Sequence, residues 1–157
     1  MHTLARTAAA SAASAVVGGL ASRDASSGWY ARLSKPSFQP PAAAFPIVWT
    51  ALYTDIAVSS ATVIDALKAD GRTAEATAYE RALALNLALN TSWTWVFFRA
   101  HRLGPAVLTA GALAASCADL VRRAAPVSRP AAVALAPYAA WCGFATVLSG
   151  AIWRRNR

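Results

Sequence analysis

The sequence predicts an all-α integral membrane bundle, and three observations carry that prediction. Of its 157 residues, 57% are hydrophobic and 14% are charged, against roughly 25% charged in an average soluble domain. So few polar side chains cannot cover a soluble domain, whereas lipid needs no such cover. The apolar residues also gather in five runs, each near the roughly 20 residues a helix needs to cross about 30 Å of hydrocarbon. Finally, the runs are rich in Ala and Leu and show no period-2 alternation, which favours helices over a barrel as the way to satisfy the backbone in lipid.

The whole chain, residues 1–157, reads as one domain with spans at approximately 4–21, 42–67, 79–100, 105–121 and 131–153. The first is mostly Ala and Ser with Arg6 near its start. Taken alone it also fits a cleaved signal peptide. The connection from Ser22 to Pro41 is the long one. Pro36, Pro40 and Pro41 interrupt any continuous helix there and favour extended backbone before them. Its rings, Trp29, Tyr30 and Phe38, suit a lid docked on the bundle or an anchor at the headgroup level. Asp65–Arg81 mixes both charge signs around Gly71 and reads as a solvated helix–turn–helix connection. Pro105 opens the fourth run, and Pro137 lies within the fifth.

The formal net charge of +8 does not indicate nucleic acid. The basic residues form short clusters between apolar runs, as loop anchors do at a lipid interface, and no nucleic-acid module accompanies them. Five spans place Arg6, Lys68, Arg72, Arg81, Arg122, Arg123 and Arg129 on one side. The other side receives Arg23, Arg32, Lys35, Arg99, Arg102, Arg154, Arg155 and Arg157. Seven against eight gives no orientation, and the basic tail points to a cytoplasmic carboxy-terminus. Cys117 and Cys142 lie within apolar runs and read as small core residues. No metal-ligand spacing is present, and no Ser–His or paired-carboxylate arrangement supports conventional catalysis.

Polar and aromatic residues inside the spans form stripes. Trp49 and Tyr53 are one helical turn apart. Asn86, Asn90, Trp93 and Phe97 recur at i, i+4, i+7 and i+11, and Tyr138, Trp141, Ala145 and Leu148 share a face after Pro137. Each stripe alone could be helix packing with Asn as interhelical glue. Together they describe a ring-lined cavity with a few polar groups, the usual makeup of a site for a flat apolar ligand. Asp55 falls about 120° around its helix from Trp49 at ~100° per residue, off that cavity. Asp119 sits three and four residues before Arg122 and Arg123, so a local ion pair accounts for it. His101 reads as a solvated loop residue rather than a haem ligand.

Four segments carry a resemblance: WYARLSKPSFQPP (Trp29–Pro41), FPIVWTALY (Phe45–Tyr53), LALNTSWTWVFF (Leu87–Phe98) and APYAAWCGFATVL (Ala136–Leu148). In this order and at this spacing the chain resembles the translocator protein / tryptophan-rich sensory protein family. The resemblance implies a five-helix transmembrane bundle with a loop over a pocket between the helices, and it keeps the first run as a true span. It implies porphyrin or other haem-pathway tetrapyrroles as ligands rather than an obligatory cofactor, with sterols and other flat apolar molecules as further ligands. A homodimer in a bacterial-type cell membrane is also implied. By motif position the pocket takes Trp49, Asn90, Trp93 and Trp141, with Tyr30 and Pro41 from the loop. The stripes add Tyr53, Tyr138 and Ala145.

Two departures stand out. Ser149 replaces the family's Asn late in the last span, shortening one polar contact. Val147–Arg154 (VLSGAIWR) also lacks the Tyr of the proposed cholesterol pattern, so tight sterol binding is not expected. The leading functional expectation is a membrane sensor or transporter for tetrapyrroles, with Arg32 and Lys35 meeting ligand carboxylates at the pocket rim. A light-dependent porphyrin-degrading activity and a purely structural or dimerisation module are the alternatives. Small residues offer two dimer faces, Ala84 with Ala88, or Ala110 with Ala114 and Ala118.

Overall fold

Turn chemistry decides where the long helices stop. The computed structural model describes residues 2–23 and 28–157; Asp24–Ser27, part of the long connection, lies outside the described residues. Helix α1 spans His2–Ser22, the short α2 Gly28–Arg32, α3 Ala44–Ala69, and α4 Thr73–Thr94. A π-helical turn, Trp95–Arg99, extends α4, and α5 (Leu103–Ala124) and α6 (Arg129–Arg155) complete the chain. Between α3 and α4 the backbone reverses at Gly71, whose φ of 73° is left-handed and costs glycine little. The amide of Arg72 reaches back to the Leu67 carbonyl at 2.8 Å, satisfying a helix-end acceptor. At the start of α6, Ser128 is extended and its hydroxyl accepts from the Ala131 amide. Pro130 follows inside the first turn, where its missing N–H costs nothing.

Five long helices close a ring. α1 packs on α3 and α4, α4 on α5, α5 on α6, and α6 on α3, with α3 also touching α4 across the interior. Two apolar clusters fill it. The larger joins Leu52, Ile56, Ile64, Leu83, Leu113 and Leu135 through the middle of the bundle. The smaller gathers Phe97, Ala106, Leu148 and Ile152 with Trp29, Tyr30, Phe45 and Trp93 at the end beneath α2. The outer surface is apolar too: Leu108 is 76% exposed, Ile47 73% and Val133 64%. Such a surface belongs in lipid, where fit between helices, not expulsion of water, holds the bundle together.

Two expectations need correction. The described chain has six α-helices, because Gly28–Arg32 forms a helical turn inside the connection read as extended. And among the described residues four helices, not five, are long and apolar enough to cross a membrane: α1, α3, α5 and α6. The exception is α4. It starts six residues before the expected Tyr79, which adds Glu75 to the Glu80 and Arg81 that the expected span already contained. Asn86, Asn90, Thr91, Ser92 and Thr94 lower its hydropathy further. α1 is a full member of the ring: Thr7 Oγ1 donates to the Ala57 carbonyl at 2.8 Å, and Ser14 Oγ to that of Leu87 at 3.2 Å.

Candidate functional site

Aromatic residues at helical spacing turn one end of the ring into a walled cavity. Phe45 and Trp49 come from α3, Trp93 from α4, and Phe97 and Phe98 from the π turn. α6 contributes Trp141, Phe144, Ala145, Leu148, Ser149 and Ile152, and Tyr30 reaches down from α2. The rings contact one another around the wall. Trp49 and Trp93 have centroids 6.4 Å apart, Phe45 and Trp141 5.9 Å, Trp141 and Phe144 5.5 Å, and Tyr30 and Phe98 5.5 Å. The enclosed space is about 30 Å³, room for a water molecule or two. The buried Trp93 Nε1–H has no hydrogen-bond partner in the protein. It is an unspent donor on a residue that lines the cavity, and an unmet buried N–H is costly.

Beneath this cavity lies a polar layer that runs across the bundle. Tyr53 Oη donates to Asn90 Oδ1 at 3.2 Å, and Asn90 Nδ2 donates to Tyr138 Oη at 3.1 Å. Tyr138 Oη donates onward to Asn86 Oδ1 at 2.8 Å, and Asn86 Nδ2 reaches Ser116 Oγ at 3.2 Å and Cys117 Sγ at 3.3 Å. On the other flank Ser14 Oγ and Thr91 Oγ1 are 3.0 Å apart. The layer takes a side chain from each of the five long helices. Trp49 stands edge-on to Tyr138 at 6.4 Å, joining the layer to the cavity.

The cover is built from α2 and the residues after it. Lys35 Nζ donates to the Tyr30 carbonyl at 2.6 Å and to those of Ala31 and Leu33 at 3.4 Å, and lies 4.6 Å from the Tyr30 ring centroid. A cation at a helix carboxy-end satisfies orphan carbonyls, so Lys35 holds the cover together and is not a free rim charge as expected. Burial raises the Tyr30 phenol above its ordinary 10.0, an effect that the nearby Gln39 side chain partly offsets. Trp29 stacks on His101, centroids 3.9 Å apart and planes 19° apart, and meets Phe97 edge-on. His101 is exposed, at a left-handed φ of 55°. The far end of the cover is clasped to the carboxy-terminus. The Ser34 amide donates to Asn156 Oδ1 at 2.9 Å, and Asn156 Nδ2 donates to the Ser34 carbonyl at 2.9 Å.

The ten residues expected at the site separate into three groups. Tyr30, Trp49, Trp93, Trp141, Ala145 and Ser149 line the cavity. Tyr53, Asn90 and Tyr138 lie in the polar layer below it. Pro41 is exposed and is not among the residues that line this cavity. Asp55 stays off the cavity on the outer side of α3, accepting from Ser59 Oγ at 2.7 Å. Asp119 pairs with Arg122 and with Arg123 Nε, the latter at 2.6 Å. Six wall residues were not singled out as ligand contacts: Phe45, Phe97, Phe98, Phe144, Leu148 and Ile152. Extending the stripes by a turn finds Phe45 from Trp49 and Ile152 from Leu148. Phe98 is beyond that signal, because the π turn adds a residue and breaks the 3.6 period.

Comparison with known proteins bears on this arrangement. The model of the TspO/MBR family matches residues 7–154. Translocator protein of Homo sapiens is 37% identical over 132 residues, covering 82% of this chain and 75% of the human one. Protein CrtK of Rhodobacter capsulatus is 31% identical over 128 residues, covering 82% of this chain and 78% of its own. Tryptophan-rich sensory protein of Cereibacter sphaeroides is 32% identical over 128 residues, at 82% and 77%.

Proposed function

This chain belongs to the TspO/MBR family, and on that premise we propose that it is a five-span membrane protein that binds porphyrin or related haem-pathway tetrapyrroles. It acts as a sensor or transporter of the ligand. One observation carries the reading: a cavity walled by rings from five elements, one of them Trp93 with its N–H unpaired, under a cover fastened at both ends. Aromatic faces stack on a flat macrocycle, and an apolar wall with one donor fixes its edge. At about 30 Å³ the closed cavity does not hold such a molecule. Entry therefore requires the cover to lift and the rings to part. The names translocator protein and tryptophan-rich sensory protein, carried by relatives, fit transport and sensing respectively.

The polar layer supports α4 as the fifth span. Five helices feed one hydrogen-bonded layer only if all five stand side by side at a common depth. α4's polar residues are answered by neighbours, so low hydropathy does not keep it out of lipid. A homodimer would use the outward face of α4, where Ala84, Leu85 and Ala88 are exposed; Ala110 is packed inside the ring. A bacterial cell membrane and a cytoplasmic carboxy-terminus complete the reading.

Titration of the detergent-solubilised protein with protoporphyrin in the dark tests it. Binding should quench Trp fluorescence, and Trp141→Ala should weaken it by about 1–3 kcal/mol, the scale of removing one large ring from an apolar wall. Undiminished binding by the variant would place the ligand elsewhere. Illumination after the dark titration separates binding from porphyrin degradation, because only the latter yields a light-dependent product.

A further inference from the structure

The two ends of the bundle carry nearly equal numbers of basic residues but very different net charge. At the end holding the α3–α4 turn, seven Lys and Arg share the surface with five carboxylates, a formal charge of +2. Many are paired there. Lys68 and Arg6 meet Glu80 at 2.8 and 3.7 Å, Arg72 meets Glu75 at 2.7 Å, and Arg122 and Arg123 meet Asp119. At the covered end there are eight Lys and Arg, and the connections of that end contain one acidic residue in sequence, Asp24, a formal charge of +7. Asp55, midway along α3, accounts for the remaining charge.

The folded chain draws part of that excess onto one surface. The Asn156–Ser34 clasp sets the residues around Ser34 beside the carboxy-terminal end of α6. Arg32 on the cover and Arg154, Arg155 and Arg157 at the end of the chain are each within two residues of one side of this clasp. All four are exposed, and none forms an ion pair with a carboxylate among the described residues. Trp153 lies at the same level, its indole against Gly104 and the Arg157 guanidinium 5.5 Å from its ring centroid. A partly exposed Trp beside a cation at a helix end is the pattern of a headgroup-level anchor.

We propose that this seam is a docking site for the headgroups of anionic phospholipids in the adjoining leaflet. Guanidinium groups present planar, donor-only forks that match phosphate oxygens, often two at a time. A bias for topology alone would explain basic residues anywhere at this end. It does not explain why Arg32 and the terminal three flank the two sides of a joint that two side-chain hydrogen bonds hold shut. A headgroup seated there bridges the cover to α6, so leaflet composition bears on how readily the cavity opens. The site is separate from the cavity, and its test needs no tetrapyrrole.

The full chain is reconstituted in phosphatidylcholine vesicles with a trace of spin-labelled phosphatidylglycerol or spin-labelled phosphatidylcholine. The motionally restricted fraction then reports lipid association. Phosphatidylglycerol should be preferred by on the order of tenfold at low salt, falling at high salt. Substituting Arg32→Gln, Arg154→Gln and Arg155→Gln together should bring the preference close to parity with an unchanged melting temperature. A control with Arg81→Gln and Arg129→Gln at the opposite end should keep it. Equal association of both lipids with the parent overturns the proposal, and so does equal loss in the control. It is likewise overturned if inorganic phosphate abolishes the preference where sodium chloride of matched ionic strength does not, since the site would then serve a free anion. A triple variant that retains the preference, or loses it only by melting, also overturns it.

Discussion

Asn156→Ala should loosen the cover without disturbing the bundle, and the size of the effect follows from three hydrogen bonds. Asn156 accepts from the Ser34 amide at 2.9 Å and donates to the Ser34 carbonyl at 2.9 Å and the Ile152 carbonyl at 2.7 Å. Only the first two cross the seam. Net hydrogen-bond contributions run from about 0.5 to 1.5 kcal/mol, and this exposed site belongs at the low end. Losing both costs the closed cover about 1 kcal/mol, roughly a fivefold rise in its opening. Amide hydrogen exchange reads this directly at Ser34, whose N–H has Asn156 as its acceptor. Its exchange should quicken about fivefold, while that of Gln39, bonded within the cover to the Pro36 carbonyl at 3.1 Å, should hold steady. Asn156→Asp, which keeps the acceptor and loses the donor, should fall between. An unchanged Ser34 rate would show that the clasp does not fasten the cover. Acceleration spread equally through α6 would show that Asn156 acts on the helix and not on the joint.

Two further outcomes test the bundle. Asn90→Leu removes both side-chain bonds of one member of the polar layer; at about 0.6 kcal/mol on average and 1.7 at most for a bond in lipid, it should cost about 1–2 kcal/mol. Unfolding in increasing dodecyl sulfate measures this, and a neutral result would mean the layer fills space without holding it. Ala88→Leu should reduce the detergent-solubilised protein to a monomer by native mass spectrometry, and an unchanged dimer would move the interface off α4.

Much of the fold could be read from apolar runs, because lipid leaves helices few alternatives. The limits appear where side chains serve one another. α4 was legible as a helix, but its polarity made no sense in the sequence, since the partners of Asn86 and Asn90 lie up to 52 residues away. The cavity wall was partly legible: Trp49, Trp93 and Trp141 follow from helical spacing, and Phe45 and Ile152 lie one turn further along the same stripes. Lys35 shows the opposite failure. Its charge suggested a ligand contact, yet its amine donates to the carbonyls of Tyr30 and Ala31 in the small helix and of Leu33 just after it. Neither that helix nor the clasp by Asn156 has a periodic signature, because each is a single local geometry. The π turn is equally silent, and it places Phe98 on the wall.

The polar layer has a consequence for how the chain is made. Ser14 and Tyr53 precede α4 and are available as it leaves the ribosome, but Tyr138, which joins Asn86 to Asn90, follows Asn90 by 48 residues. At about 5–20 residues per second that is roughly 2–10 s of further synthesis. For that interval two amides of α4 lack a shared partner, in the helix with the least apolar surface to hold it in lipid. On the proposed reading of α4 as a span, the hydrogen-bonded layer that would hold it there is complete only when α6 arrives, near the end of translation. A chain cut short before Tyr138 would lose not only its last helix but the residue that joins Asn86 to Asn90.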